Sequence, residues 1–418
     1  MLKLDKTKDI APLREQCMVM DRQLGIRISR ILPALMEECG LDMWIVLCRE
    51  YNEDPVFRAL VPYRVKNASR TSCLVFTLDK DGTFGAYNFG RPDPRLSPYY
   101  EHMHFPSKGQ DQFESLREFI ALKKPLRAAV NCSGVSAMAD GLSKTMWDKL
   151  EKCLGSIVPV ESDIAIRLLE TRTDEELELY REAYRITTDI LAEAYSPEVI
   201  RPGITTTADV EWFIAQRIND MGLVAWFSPD VDLQRKGLDE QRTADTVIQK
   251  GDLLHTDMGL VYYGLHTDMQ RLAYVLNDGE EQIPEGLLRG HSNCRRFQDI
   301  VCGRIRAGRS GNEVFHSAVE EAVRAGLSPM LYSHPVGLYG HAAGPMIGLY
   351  DCQGDVPGTG ELLIHDKTCY ALELNTTESV PEWDGQKVCF MLEETILFHN
   401  GRVSFAGEGR DRITLIRG

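Results

Sequence analysis

The chain has 418 residues, enough for two or three domains and for large cores that need no disulfide staples. Hydrophobic residues make up 43% and charged residues 26%, the balance of an ordinary globular protein. With 62 acids against 47 bases the formal charge is −15, which argues against a nucleic-acid backbone or an anionic membrane as the main partner, since both require basic patches.

The 11 cysteines are odd in number and none lies in a C-x-x-C pair, so reduced thiols in a cytoplasmic protein are expected. The opening residues, Met1-Leu2-Lys3-Leu4-Asp5-Lys6, turn polar at once and carry no apolar h-region. No stretch approaches the ~18 uninterrupted apolar residues of a membrane span.

In chain order, Arg14 to Cys39 carries apolar residues at helical spacing and stops at Gly40, with a kink or break expected at Pro33. Met43 to Leu47 is an apolar run of buried-strand length. Ser72–Thr77 and Thr83–Phe89 read as two more strands around Asp79-Lys80-Asp81-Gly82. Phe113–Leu122 reads as a helix and Arg127–Val130 as another strand. This order predicts an α/β domain on a mixed sheet, over residues 1–165.

A boundary is expected at residues 165–173. Thr173 and Glu176 have the spacing of a capping box, followed by an amphipathic helix through Leu177, Tyr180, Tyr184, Ile190, Leu191 and Ala194 that ends before Pro197. A second domain then runs over 170–418. Within it Arg201-Pro202-Gly203-Ile204-Thr205 precedes a helix ending at Gly222, and Arg306-Ala307-Gly308-Arg309-Ser310 precedes one ending near Gly326. This echo reads either as coincidence or as two related halves.

The segment Gly251–Asp268 carries the strongest chemical signal. It reads as two strands joined by a turn near Tyr262–Gly264. With Val261 opposite Gly264, Asp257 faces Asp268 and their Cβ atoms lie ~4.5–5.5 Å apart. Carboxylates that close repel unless a cation lies between them. Three further polar residues sit in equally apolar settings: His334 before Pro335-Val336-Gly337, Glu373 within Tyr370–Leu374, and Glu393 within Phe390–Leu397. A buried glutamate is costly unless paired or bound to a metal. Singly, each reads equally well as a core ion pair. Together, two Asp, two Glu and one His make an oxygen-rich set suited to a two-metal site for Mn, Fe, Co or Zn.

The order Asp257, Asp268, His334, Glu373, Glu393 resembles the creatinase/aminopeptidase superfamily, and within it the Xaa-Pro aminopeptidases and prolidases most. The resemblance covers the whole chain. It implies an α/β N-terminal domain and an α+β pita-bread catalytic domain with pseudo-two-fold halves, which suits the echo. It also implies two divalent ions, with manganese ranked first and zinc, cobalt or iron as alternatives. Asp257 would hold one ion, Asp268 and Glu393 would bridge both, and His334 and Glu373 would complete the other. A hydroxide between the ions would be the nucleophile. Glu373 would relay protons and His341 would hydrogen-bond the oxyanion. Gly337, Gly340, Ala342 and Ala343 would let a substrate approach the backbone. The partner implied is a small peptide or small amide, and a homodimer is plausible for the family.

Departures from the pattern bear on substrate. The proline-specific members carry a histidine where this chain has Gly237-Leu238-Asp239-Glu240-Gln241-Arg242, and another where it has Met330. Many members carry an arginine where it has Met391. Arg235, Arg242 or His266 are candidates to fill the gap. The leading expectation is hydrolysis of the N-terminal bond of a peptide with proline second. The alternatives are a non-peptide C–N hydrolase of the creatinase or ectoine hydrolase type, and a non-catalytic pita-bread binding protein.

Overall fold

The computed structural model describes residues 10–105, 109, 111–238 and 245–417. The described chain forms two compact units, one spanning Ala11–Thr173 and the other running from Asp174 to the C-terminal end.

The first unit opens with α1 (Leu13–Ile26), a π-turn over Arg27–Ile31, and α2 (Leu32–Glu38). The π-turn sits just ahead of Pro33, whose missing N–H and bulky ring break the ordinary hydrogen-bond ladder. Gly40, at φ +63°, ends α2. The sheet is β1 (Met43–Arg49), β2 (Thr71–Leu78), β3 (Phe84–Asn88), β4 (Glu101–His102) and β5 (Ala128–Val130), in the order β4-β3-β2-β1-β5. The β1–β5 and β3–β4 pairs are parallel and the others antiparallel, so the sheet is mixed, as expected. The short α3 (Phe57–Leu60) follows β1; α4 (Gln112–Lys123), α5 (Lys144–Leu154) and α6 (Ile164–Glu170) follow β4. Met43, Ile45 and Leu47 alternate along β1 and pack with Leu116 and Ile120 of α4 and Leu150 of α5. The Thr173 hydroxyl donates to Gln23 Oε1 at 2.5 Å, within this same unit.

The second unit opens with α7 (Asp174–Ala194), which buries Leu177, Tyr180, Tyr184, Ile190, Leu191 and Ala194. After α8 (Thr207–Asp220) come β6 (Val224–Ala225), β7 (Asp230–Gln234), β8 (Leu253–Met258), β9 (Leu260–Tyr262), β10 (Leu265–His266) and β11 (Met269–Val275). Next are α9 (Glu285–Arg304), α10 (Gly311–Arg324), β12 (Pro329–Leu331) and β13 (His334–Pro335). The last strands are β14 (Thr368–Val380), β15 (Gln386–His399), β16 (Arg402–Phe405) and β17 (Thr414–Ile416). The main sheet runs β12-β14-β15-β11-β8-β7, with β13 on β14, β16 on β15 and β17 on β11; β10-β9-β6 form a small second sheet. Leu372, Leu374 and Leu392 pack with Cys294, Phe297 and Val301 of α9 and Val314 and Ala318 of α10. By strand alternation their neighbours Glu373 and Glu393 point to the opposite face.

The echo in the sequence is a structural repeat. Gly203 (φ +82°) donates to Ile248 O at 2.7 Å and Gly308 (φ +81°) to Ile364 O at 2.9 Å. Thr206 and Asp209 cap α8 reciprocally, as Ser310 and Glu313 cap α10. Thr206 bridges Val247 and Ser310 bridges Leu363. Gly222 (φ +73°) and Gly326 (φ +81°) then follow the two helices. Each repeat thus delivers a helix and then a long strand, β8 in one half and β14 in the other.

The hairpin register differs from the expectation. Tyr262 pairs with Leu265 and Asp257 with Gln270, so Asp268 lies diagonal to Asp257 rather than opposite it. The two-residue loop is Tyr263-Gly264, with φ +52° and +75°. A two-residue loop of this hand needs positive φ at both central positions, and Gly264 supplies one freely. The shift moves each strand by one residue in opposite senses, so both aspartates stay on one face.

Arg271 and Glu394, next in sequence to Gln270 and Glu393, form a buried pair on the reverse side of these strands. Arg271 Nη1 lies 2.6 Å from Glu394 Oε1, and Nη2 donates to Glu394 Oε2 at 3.0 Å and to the Tyr184 hydroxyl at 2.8 Å. Nη1 also donates to Glu393 O at 3.1 Å, which ties the pair to the backbone of β15. Removing one partner of a buried pair strands the other's charge, at about 3–5 kcal/mol. Arg271→Met is therefore expected to lower stability by about that amount in urea unfolding; an unchanged midpoint would show that the pair contributes nothing net.

Candidate metal centre

Five strands of the main sheet place one polar residue each in a single transverse row. Asp230 of β7 pairs with Asp257 of β8, Asp257 with Gln270 of β11, Gln270 with Glu393 of β15, and Glu393 with Glu373 of β14. Directly paired residues share a face, so four carboxylates and one amide line up across the sheet. His334 pairs with Ala371, two residues along β14 from Glu373, and joins the same face. Asp268 stands at the start of β11, where the Thr395 hydroxyl holds its backbone by donating to Asp268 O at 3.1 Å and accepting from Asp268 N at 3.4 Å.

Three of the five residues singled out as ligands, Asp257, Glu373 and Glu393, stand in the row, and His334 and Asp268 stand beside it. Asp268, His334 and Glu393 are buried, and one ligand atom from each lies within 4.8 Å of the other two. His334 Nε2 is 3.5 Å from Asp268 Oδ2 and 3.9 Å from Glu393 Oε1. His334 Nδ1 lies 3.0 Å from the Pro335 carbonyl, which can only accept, so Nδ1 carries the proton and Nε2 keeps its lone pair towards the carboxylates. Asp257 and Glu373 flank this triad and are half-buried.

The electrostatics call for a cation. Burial, then the charges of Asp257 and Glu373, push the Asp268 carboxyl well above the ordinary carboxylate range. Burial, then Asp268, Glu373 and Asp257, do the same to Glu393. Burial and Asp257 raise Glu373 to about 8, and burial is the main cause that lifts Asp257 to about 6. Burial, with His341 nearby, lowers His334 to about 4, so it stays neutral and able to ligate. Asp257 Oδ1 and Glu393 Oε2 are buried without a hydrogen-bond partner. Orphaned carboxylate oxygens among like charges are what divalent-ion ligands look like without their ion, so the residues fit the group.

Several residues of the site carried no signal in the linear sequence. Gln270 Nε2 donates to Asp257 Oδ2 at 3.2 Å and to Glu373 Oε1 at 2.7 Å. Its Oε1 lies 3.0 Å from His255 Nε2, and His255 Nδ1 lies 3.0 Å from Asp232 Oδ2. Burial opposes charge on His255, but Asp232 outweighs it and lifts the imidazole to about 9. His255 is two residues before Asp257 and Gln270 two after Asp268, so strand alternation could have placed both on the site face; Asp232 comes from another strand.

Trp226 is the other unforeseen residue. Its Nε1 donates to Thr267 O at 2.8 Å, beside Asp268. A Cβ on Gly259 would lie 2.1 Å from that nitrogen, and one on Gly340 would lie 2.4 Å from the indole ring. Gly340 is thus small to admit Trp226, which corrects its expected role in substrate approach. The Gly337 carbonyl likewise serves the protein itself, accepting from His266 N at 2.9 Å and the Tyr180 hydroxyl at 3.2 Å.

His341 is exposed. Its ring stands edge-on to His334, 4.6 Å between centroids at 87°, and to Trp226 at 5.4 Å and 74°. His266 lies 6.2 Å from Trp226 and 6.3 Å from Tyr339, so it borders the site. Arg235 does not: its guanidinium forks onto the buried Asp252 at 2.6 and 2.7 Å. Arg242 lies outside the described residues. Met330 and Met391 both pair with Asn375, giving an uncharged row beside Glu373 and Glu393.

Among the described residues no helix is long and apolar enough to cross a membrane. Solved structures share the fold over nearly the whole chain. The X-Pro aminopeptidase from Thermotoga maritima MSB8 is 16% identical, with a TM-score of 0.64 over 91% of this chain and 99% of that one. For the Xaa-Pro dipeptidase from Bacillus anthracis the figures are 15%, 0.62, 93% and 99%. For the dipeptidase PepE from Mycobacterium ulcerans they are 17%, 0.62, 96% and 99%. No curated protein sequence matches the chain. The model of metallopeptidase family M24 matches residues 178–400, more than half of the chain and all five candidate ligands. The chain belongs to metallopeptidase family M24.

Proposed function

We propose that the protein is a two-ion metallopeptidase that releases the N-terminal residue of a peptide or dipeptide with proline in second place. The observation that carries the reading is the buried pair Asp268 and Glu393 with His334 Nε2 turned towards it and the half-buried Asp257 and Glu373 alongside. Asp257 would hold one ion and His334 with Glu373 the other, Asp268 and Glu393 serving both. Bound there, divalent ions supply Lewis acidity to a carbonyl and acidify water. Glu373 is half-buried at the edge of the ligand set, where it would take a proton and later return it to the leaving amine. His341, exposed beside His334, would donate to the oxyanion without joining the ions. The solved neighbours named for X-Pro or Xaa-Pro substrates support the choice of peptide. Manganese is ranked first among the ions.

The Met330–Asn375–Met391 row favours a second reading, a hydrolase of a small non-peptide C–N bond, because it carries methionines where the proline-specific pattern has a histidine and many members have an arginine.

Three measurements test this. Elemental analysis should find two ions per chain, and Asp268→Ala or Glu393→Ala should empty or halve the site; unchanged content in both would sink the ligand assignment. His341→Ala should keep its metal while turnover falls by about 10²–10³, the usual cost of an oxyanion donor; loss of metal or normal turnover would refute that role. A substrate screen with manganese, before and after chelation, should show metal-dependent cleavage of Xaa-Pro peptides. Inert peptides alongside a cleaved creatine-like or ectoine-like amide would transfer the assignment to the second reading.

A further inference from the structure

Gln270 sits in the middle of the carboxylate row and carries no charge. Its two N–H groups meet Asp257 Oδ2 and Glu373 Oε1, the two candidate ligands outside the Asp268–His334–Glu393 triad. The amide cannot be turned round, because its oxygen would then face two carboxylates. In the observed orientation that oxygen faces His255 Nε2, and Asp232 holds the far side of the same imidazole. All three partners are buried: Asp232 is 6%, His255 5% and Gln270 2% exposed. The chain Asp232–His255–Gln270 therefore ends in two fixed donors, each satisfying one oxygen of a flanking carboxylate. What it leaves is informative: Asp257 Oδ2 is occupied while Asp257 Oδ1 is buried without a partner.

We propose that Gln270 is a positioning residue of the metal centre. It takes one oxygen of Asp257 and one of Glu373 so that each presents its other oxygen to an ion, and His255 with Asp232 fixes the amide. The inference rests on the two-ion reading above. It adds that the two outer ligands are aimed by one amide common to both rather than by separate partners. Groups that orient metal ligands from behind typically change affinity by about 10–100-fold when removed.

The test uses the full chain, stripped of metal and titrated with Mn²⁺, with Co²⁺ absorption as a second readout of ligand geometry. The variants are Gln270→Met, of similar size but without donors, and Gln270→Thr, with a single donor. In both, Mn²⁺ affinity is expected to fall about 10–100-fold and the visible Co²⁺ bands to change. His255→Phe, which frees the amide to turn, should shift both readouts in the same direction. Cooperative melting of each variant identifies any that fails to fold, and the inference is then read from the others. Unchanged affinity and an unchanged Co²⁺ spectrum in a folded Gln270 variant would overturn it. Failure of the unsubstituted chain to bind Mn²⁺ or Co²⁺ at all would instead overturn the metal-centre reading beneath it.

Discussion

A sheet that aligns four carboxylates across its strands has built a repulsion that its own folding cannot relieve. Asp257, Glu393 and Glu373 are fixed in register by the backbone ladder, so they cannot move apart without loss of strand pairing. Burial, and after it this repulsion, raises the Asp268 and Glu393 carboxyls, and Asp257 Oδ1 and Glu393 Oε2 stay without a hydrogen-bond partner. Asp268, His334 and Glu393 converge closely enough to hold a metal ion, and the neutral His334 adds the only nitrogen of the three.

The rest of the unit is arranged to keep that row still. The Arg271–Glu394–Tyr184 network closes the reverse side and reaches the backbone of Glu393 itself. Thr395 holds Asp268 at both N and O. The repeat supplies the matching strands β8 and β14, each introduced by a glycine turn and a capped helix. Of the candidate ligands, Asp257 and Asp268 come from one half and His334, Glu373 and Glu393 from the other, so the candidate site forms only where the two halves meet.

The carboxylates were legible from the sequence because each is an anomaly: a charge inside a strand-length apolar run. The repeat was legible because a glycine turn and a cap leave local signatures. Gln270, His255 and Asp232 escaped notice for the converse reason, since a neutral amide and a histidine near an aspartate are unremarkable until the strands are paired. The register slip has a similar origin. The sequence marks a turn near Tyr263 but not which pair of residues takes positive φ, nor that Gly259 and Thr267 interrupt the hairpin and pass its tip to another sheet. Trp226 leaves no local signature, because its partners Gly259, Thr267 and Gly340 come from distant stretches of chain.

That wedge has a consequence for how relatives of this chain can diverge. The indole fills space that two glycines leave open, and a single methyl group at either one would lie within 2.4 Å of it. Neither glycine can acquire a side chain while Trp226 remains, and Trp226 cannot shrink without opening a void beside Asp268 and His341. Positions 226 and 340 should therefore covary in an alignment, a large residue at 226 with glycine at 340 or a small one at 226 with a side chain restored at 340, while Gly259 is also held by the Thr267 carbonyl, 2.4 Å from where its Cβ would lie. Such a pair would distinguish the members that share this wall of the site from those that built it another way.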